Sequence, residues 1–192
     1  MAILEKMVKS IAVYSLIFLG SFSGLSNAKP EALFDPSTGY RMSHFRAPID
    51  RQVEGAVRVD AIAVQELHEI GALLVDVHPL RVYQIRDDGS WLHSQKQLSV
   101  PGAIWLPVVA WGALESWQFR YLERSLQILS EGDYEKQIVV FCRIDCWLSW
   151  NAAKRISEIG YRRVYWFAEG IDAWEAEIGF LVPVAPYPHV GQ

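Results

Sequence analysis

Short apolar runs alternate with segments of helical periodicity along most of this chain, and this alternation restricts its fold more than any other feature. ALLVDV (residues 72–77), KQIVVF (136–141) and RRVYWF (162–167) contain continuous apolar stretches, as in strands buried on both faces of a sheet. Residues 63–70 and 149–159 have helical spacing, and a glycine follows each segment. Strands that alternate with helices predict an α/β domain with a mainly parallel central sheet flanked by helices.

The first 28 residues have the order of a secretory signal peptide. Lys6 and Lys9 precede an apolar run over residues 11–19, and small polar residues follow this run up to Ala28. The run is too short for a comfortable membrane span. We therefore expect cleavage after Ala28, export to the periplasm and no stable membrane span after the signal is removed. The alternative is an uncleaved N-terminal anchor.

The rest of the chain divides into three parts. Residues 29–52 contain three prolines and no sustained period, which indicates an N-terminal extension that is an ordered or half-ordered arm. Residues 53–185 are predicted to form one α/β domain, in which the polar residues 78–99 are a long surface excursion. Residues 186–192 are predicted to be a loose C-terminal tail.

The charge balance excludes one class of partner. The chain has 18 lysine and arginine residues against 22 aspartate and glutamate residues, which gives a formal net charge of −4. It contains no basic block, so nucleic acid is not an expected partner.

Both cysteines of the chain, Cys142 and Cys146, lie in one turn with the pattern C-x-x-x-C-W. The turn follows a predicted strand and precedes a predicted helix, at the sheet edge where α/β proteins bind ligands. A disulfide here would close a very small loop and would remove little entropy from the unfolded chain. Amide groups at the helix start favour negative charge and would lower the pKa of the Cys142 thiol. We therefore predict that the pair serves chemistry rather than stability.

Four further side chains are candidates for the same site. Asp76 is near the end of a predicted buried strand and His78 follows that strand, so Asp76 could orient Arg143 or a loop amide and His78 could be a metal ligand. The simpler roles are a structural cap for Asp76 and a solvated loop residue for His78. Trp147 and Trp150 could line a cleft for a flat ligand such as a quinone, or pack in the core from one helix face.

Several blocks of the sequence resemble the rhodanese domain family. LLVDV, VPGAIWLP, QIVVFC with its loop and helix, and GYRRVYWFAEGIDAWEAEIGFLV occur in that family's order, over residues 53–184. The resemblance implies a rhodanese-like fold. It places Cys142 at the position of the nucleophile that carries a sulfane sulfur, and it places Arg143 at a loop position that is often basic.

Two departures from the family's loop bear on this activity. Rhodanese-like sulfurtransferases generally have a glycine three residues after the nucleophile and an arginine five residues after it, where this chain has Asp145 and Trp147. An anionic sulfur donor would be repelled by the Asp145 carboxylate and would lack the positive charge of an arginine at position 147. The positive charge of Arg143 offsets both effects in part. The Asp145 charge would also raise the pKa of both thiols. A persulfide on Cys142 would be attacked by Cys146, so stored sulfur would be short-lived.

GYRMSHFRAP near the N-terminus and CRIDCWLSWNAAKR around the cysteines resemble a narrower, exported subfamily. These are the pyrroloquinoline-quinone (PQQ)-dependent catabolism-associated CXXXCW motif proteins. The resemblance implies a periplasmic rhodanese-like accessory protein of PQQ-dependent alcohol oxidation. It implies a PQQ-dependent alcohol dehydrogenase, or that enzyme's electron-transfer partner, as the partner, and it suggests a redox cofactor of unspecified identity.

Three functions of the cysteine pair remain open. In a redox accessory, Cys142 attacks a partner and Cys146 resolves the mixed disulfide. In a soft-metal module for copper, Cys142 and Cys146 bind the ion with His78 as a third ligand. In a sulfurtransferase, Cys142 carries a persulfide. Covalent haem attachment is excluded, because a histidine would have to follow Cys146 directly and residue 147 is tryptophan.

Overall fold

The structure is a computed structural model that describes residues 32–190. The predicted signal peptide, residues 1–28, lies outside the described residues, as do residues 29–31 and 191–192. The described part of the chain has nine strands and four helices. In chain order they are β1 (Ala56–Arg58), α1 (Ala61–Glu69), β2 (Leu73–Asp76), β3 (Gln84–Ile85), β4 (Trp91–Leu92), β5 (Gln97–Ser99), β6 (Ile104–Trp105), α2 (Ser116–Leu129), β7 (Ile138–Phe141), α3 (Trp147–Ile159), β8 (Val164–Phe167), α4 (Gly170–Glu177) and β9 (Val182–Val184).

Five strands form one parallel sheet in the order β1-β8-β7-β2-β6. β7 is the central strand and all of its residues are buried, as its uninterrupted apolar sequence predicts. Asp76, the last residue of β2, pairs in register with Phe141, the last residue of β7. The carboxyl ends of these two strands therefore meet at one sheet edge. The predicted α/β architecture with a parallel central sheet is confirmed.

The four helices lie on both faces of this sheet. Ile138 and Val140 of β7 pack in one core cluster with residues of α2 and α3. Val139 and Phe141 point the other way and pack with residues of α1 and α4. None of these four helices is long and apolar enough to cross a membrane.

Residues 78–99 are more regular than the predicted surface excursion. β3 and β4 pair as a two-stranded antiparallel sheet, and β5 pairs with β9 in another. The sequence pattern did not indicate these strands because each has only two or three residues, too few to display a period.

Residues 186–190 are hydrogen-bonded to the domain, unlike the loose tail that we predicted for this segment. The Tyr187 N–H donates to the carbonyl of Trp105 at 2.8 Å. The carbonyl of Tyr187 in turn accepts from the indole N–H of Trp91 at 2.8 Å and from the hydroxyl of Tyr121 at 2.7 Å. These bonds use backbone groups, so the side-chain pattern of the segment gives no sign of them.

Candidate functional site

The cysteine turn connects the central strand β7 to helix α3. Cys142 follows β7 directly, and Cys146 is the N-cap residue of α3. Both are free thiols, their Sγ atoms lie 2.7 Å apart, and the two residues are only 1% and 2% exposed. The predicted strand-to-helix position is confirmed, and the two side chains converge. The sulfur atoms are sealed from solvent.

The two thiols differ in pKa, and the helix start does not lower the pKa of Cys142 as its amides alone would predict. The hydrogen bond from the Cys142 thiol, the amides of Leu148 and Arg143, and the charge of Arg46 lower the pKa of Cys146 to about 7. Burial, the hydrogen bond with Cys146 and the nearby Asp76 charge raise the pKa of Cys142. The helix start acts on its own N-cap residue, Cys146, and the thiolate of the pair is therefore located there.

His78 lies beside the buried thiol of Cys142. Its Nδ1 atom is 3.7 Å from the Cys142 Sγ atom. The His78 N–H donates to Asp76 at 2.8 Å, and the His78 carbonyl accepts from the Trp105 indole at 2.6 Å, so its backbone is fixed on both sides. Burial and the charge of Arg143 lower the pKa of His78 to about 4. The imidazole is therefore neutral at pH 7.

Asp76 is a buried structural anchor beneath the site. Its carboxylate accepts hydrogen bonds from the Ser99 hydroxyl at 2.7 Å, the Gln97 amide at 3.0 Å and the His78 N–H. Burial raises its pKa to about 6 against the lowering effect of these donors. Asp76 thus joins the end of β2 to β5 and fixes the backbone of His78, which corresponds to the structural role in our prediction.

The start of α4 holds the cysteine turn in place, a role that we did not assign from the sequence. The Asp172 carboxylate accepts from the Arg143 guanidinium at 2.8 Å and from the Ile144 N–H at 2.9 Å. The Ile171 N–H donates to the Cys142 carbonyl at 3.1 Å. Gly170 allows this approach, because a Cβ atom there would lie 2.3 Å from the Cys142 oxygen. The only sequence pattern in this segment was the block GIDAW. We interpreted this block as evidence for the fold, and it did not indicate the contact with the turn.

The N-terminal extension pairs with the cysteine turn, another contact that sequence reasoning missed. The Trp147 N–H donates to the Phe45 carbonyl at 2.9 Å, and the Ala47 N–H donates to the Asp145 carbonyl at 3.1 Å. The Arg46 guanidinium donates to the Ile144 carbonyl at 2.6 Å. Residues 45–47 therefore run antiparallel to the end of the turn.

The family of the chain follows from a match that includes the strand, the turn and α4. A model of the rhodanese-like domain matches residues 60–177. The chain belongs to the rhodanese-like domain family. The predicted rhodanese-like fold is thereby confirmed.

Similar solved structures have low sequence identity. The rhodanese-like domain of a protein from Anabaena sp. is 17% identical over 66% of this chain and 79% of that chain, with a TM-score of 0.43. A protein from Bacillus halodurans is 20% identical over 67% of this chain and 78% of that chain, with a TM-score of 0.45. A 3-mercaptopyruvate sulfotransferase from Escherichia coli is 16% identical over 58% and 39%, with a TM-score of 0.36. Among curated proteins, none matches the chain in sequence.

Asp145 has a left-handed backbone conformation at the position where the family resemblance places a glycine. Its φ of 55° lies in the left-handed region, which glycine adopts freely and aspartate tolerates better than most residues. The departure therefore changes the charge of the loop while the backbone conformation expected for glycine is kept.

Trp147 and Trp150 are core residues rather than walls of a ligand cleft. They are 2% and 6% exposed. The Arg41 guanidinium lies 4.7 Å from the ring centroid of Trp147, and Phe34 packs edge-on against the same ring at 5.3 Å. The indole N–H of Trp150 donates to the carbonyl of Gln52 at 3.2 Å. The extension thus packs on both rings, and the interpretation as a quinone cleft is wrong for these two residues.

Three surface clefts formed by the described residues lie away from the cysteines. Their volumes are about 700, 570 and 520 Å³, and neither Cys142 nor Cys146 lines any of the three. The largest cleft is bordered by Trp117 and Tyr121 of α2 and by His189.

The arrangement of the sulfur atoms does not fit the soft-metal alternative. Two thiolates bound to one tetrahedral ion, with metal–sulfur bonds of about 2.3 Å, lie about 3.8 Å apart. The Sγ atoms of Cys142 and Cys146 are 2.7 Å apart. Within residues 32–190, no group of three or more His, Cys, Asp and Glu side chains is arranged to hold a metal ion. His78 is beside Cys142, as predicted, but the three residues do not form a coordination site.

Proposed function

We propose that this protein is a rhodanese-like redox accessory in which Cys142 and Cys146 cycle between a dithiol and a disulfide. The observation that carries this proposal is the 2.7 Å separation of the two Sγ atoms. A disulfide bond is about 2.05 Å long, so the bond requires only a small movement of the two side chains. Enzyme activity in the strict sense is not required for such a role.

The pKa values support an order of attack that begins with Cys146. The Cys146 thiolate attacks one sulfur of a partner disulfide, whose S–S bond breaks and releases the first partner thiolate. The Cys142 sulfur, after loss of its proton, attacks the Cys146 sulfur of the mixed disulfide and releases the second partner thiolate. The partner thiolates take up two protons, one from Cys142 and one from solvent, which received it when Cys146 ionised. The pair is oxidised by two electrons and the partner disulfide is reduced by two electrons.

The cellular setting that we propose is the periplasm, in the service of PQQ-dependent alcohol oxidation. The client would be a PQQ-dependent alcohol dehydrogenase or its electron-transfer partner. The signal-type order of residues 1–28 and the C-x-x-x-C-W motif support this setting. Further support comes from the extension, because its block GYRMSHFRAP contains the residues that pair with the cysteine turn. Extension and motif therefore act as one structural unit.

The test is the redox equilibrium of the chain after removal of its first 28 residues, in glutathione buffers of graded potential. Intact mass and free-thiol count are expected to show one two-electron transition, with both thiols lost together. Cys142→Ser and Cys146→Ser are matched controls. The Cys142→Ser variant should accumulate a mixed disulfide with glutathione at Cys146, because no second thiol resolves it. Two free thiols at every potential would refute the proposal.

Sulfur transfer is a second candidate function, favoured by the position of Cys142 at the end of β7 in a member of the rhodanese-like family. A persulfide on Cys142 would however lie next to the Cys146 thiolate, which would attack it and release sulfide. A thiosulfate-to-cyanide assay distinguishes the two functions. Background rates are expected for the unaltered protein, with a gain in the Cys146→Ser variant. High activity of the unaltered protein would favour sulfur transfer instead.

A further inference from the structure

The proton of the Cys142 thiol has no direct route to solvent. Cys142 is 1% exposed, and burial holds its thiol in the protonated form. Formation of the disulfide nevertheless requires this proton to leave, because the attacking sulfur must be a thiolate. A neighbouring group has to accept the proton.

Three titratable side chains among the described residues lie close to Cys142, and they differ in what they can accept. Asp76 is fully buried, and its oxygens already accept from three donors. Cys146 is 2% exposed, and its sulfur is in the mixed disulfide when the proton has to leave. His78 is half-buried, and its Nδ1 atom lies 3.7 Å from the Cys142 Sγ atom, within hydrogen-bond range for sulfur.

We propose that His78 is a catalytic residue that takes the proton from Cys142 and passes it to the departing partner thiolate in the resolving step; this inference rests on the proposed redox function. The Cys142 S–H bond breaks as the proton moves to the imidazole. The Cys142 sulfur then forms a bond with the Cys146 sulfur, and the bond between Cys146 and the partner sulfur breaks. The departing partner thiolate takes the proton from the imidazolium, so that atoms and charge balance.

The charges that face His78 make its imidazole a weak base, so it carries the Cys142 proton only transiently. Burial and the positive charges of Arg143, Arg46 and Arg81 lower its pKa to about 4, against the opposite effect of Asp172. These arginines lie on the cysteine turn, on the extension and after β2. A neutral imidazole accepts a proton at one nitrogen and releases it readily when the surrounding charge is positive.

Proton transfer becomes more favourable once the first step has occurred. In the resting pair, the hydrogen bond with Cys146 and that thiolate's negative charge both raise the pKa of Cys142. Both effects end when the Cys146 sulfur enters the mixed disulfide. The Nδ1 atom of His78, 3.7 Å from the Cys142 Sγ atom, is then an acceptor within hydrogen-bond range of the Cys142 thiol.

The experiment compares His78→Ala with the unaltered protein in stopped-flow oxidation by oxidised glutathione. The resolving step is expected to slow by about 10²-fold, the lower end of the usual range of acid–base catalysis, because the low pKa of His78 makes it a weak base. Added imidazole should restore part of the rate, and the equilibrium potential of the pair should not change. The backbone bonds of His78 do not use its ring, so the variant retains its anchoring. His68→Ala, on α1, is the matched control and should keep the full rate.

Each remaining outcome rejects a defined part of the argument. An unchanged resolving rate in His78→Ala refutes the proton-transfer role and leaves the redox function standing. A slow rate without imidazole rescue, together with a shifted equilibrium potential, assigns His78 a structural role and also refutes the inference. Failure of the unaltered pair to oxidise at any potential refutes the proposed function and the role of His78 together.

Discussion

Replacement of Gly170 by alanine tests how closely α4 approaches the cysteine turn. Gly170 is buried and has a φ of 58°, in the left-handed region. A Cβ atom at this position would lie 2.3 Å from the carbonyl oxygen of Cys142 and 2.7 Å from its carbonyl carbon. Both contacts involve backbone atoms, so no side-chain rotation can relieve them.

The expected loss of stability has two parts. The left-handed conformation costs a residue with a Cβ atom about 1–2 kcal/mol. The steric conflict with the Cys142 backbone adds about 1–3 kcal/mol, the usual cost of an overpacked site. Gly71 provides the control, because its φ is 86° and nothing lies within 4 Å of its virtual Cβ atom. Gly71→Ala therefore bears only the first cost.

The assay is urea unfolding of both reduced variants beside the unaltered protein. Gly170→Ala should lower the free energy of unfolding by about 2–5 kcal/mol, and Gly71→Ala by about 1–2 kcal/mol. Displacement of α4 should also break the bonds of Asp172 to the turn, so Cys142 should react faster with an alkylating reagent. Equal losses in the two variants, with no change in alkylation, would refute the close approach of α4 to the turn.

Three further predictions concern charge and conformation at the site. The pKa of Asp76 is raised from 3.8 to about 6, so its contribution to stability is complete below pH 4 and is lost as the pH rises through 6. Between pH 4 and pH 7, the free energy of unfolding of the unaltered protein should fall by about 3 kcal/mol relative to that of Asp76→Asn. The same pH dependence of this free energy in both proteins would contradict the prediction. Asp145→Gly should keep the free energy of unfolding within about 1 kcal/mol, whereas Asp145→Val should lose about 1–3 kcal/mol, because only glycine adopts a positive φ without strain. Cys142→Ala should raise the pKa of Cys146 above about 7, measured from the pH dependence of alkylation, since its main hydrogen-bond donor is gone; an unchanged pKa would show that the helix start alone holds the thiolate.

Local sequence patterns were sufficient to predict the sheet and the place of the site. The apolar stretch of β7 is buried on both faces, and burial on both faces is what an unbroken apolar run requires. The ends of parallel strands meet at one sheet edge, so the convergence of Asp76, His78 and Cys142 follows from the order of strands alone.

The chemistry of the pair depended on boundaries that sequence patterns locate poorly. We expected helical residues from position 149, whereas α3 begins at Trp147 and makes Cys146 its N-cap residue. A shift of two residues in the start of the helix determines which cysteine lies next to the amide N–H groups that stabilise a thiolate. The contacts of Asp172 with the turn join segments about thirty positions apart in the chain, and no periodicity reports contacts of that range.

Hydrogen bonds and the packing of Phe45 together hold the extension against the sealed cysteine turn. Residues 45–47 make three hydrogen bonds to the turn, and each contributes about 0.5–1.5 kcal/mol net. Loss of these three hydrogen bonds alone would cost about 1.5–4.5 kcal/mol, and loss of the packing of Phe45 on Trp111 would add to this cost. Arg41 remains fixed in that event, because its backbone N–H and carbonyl are both bonded to the Asn151 side chain at 2.9 Å. The hydrogen bonds of residues 45–47 can therefore be lost without release of Arg41 from the ring of Trp147.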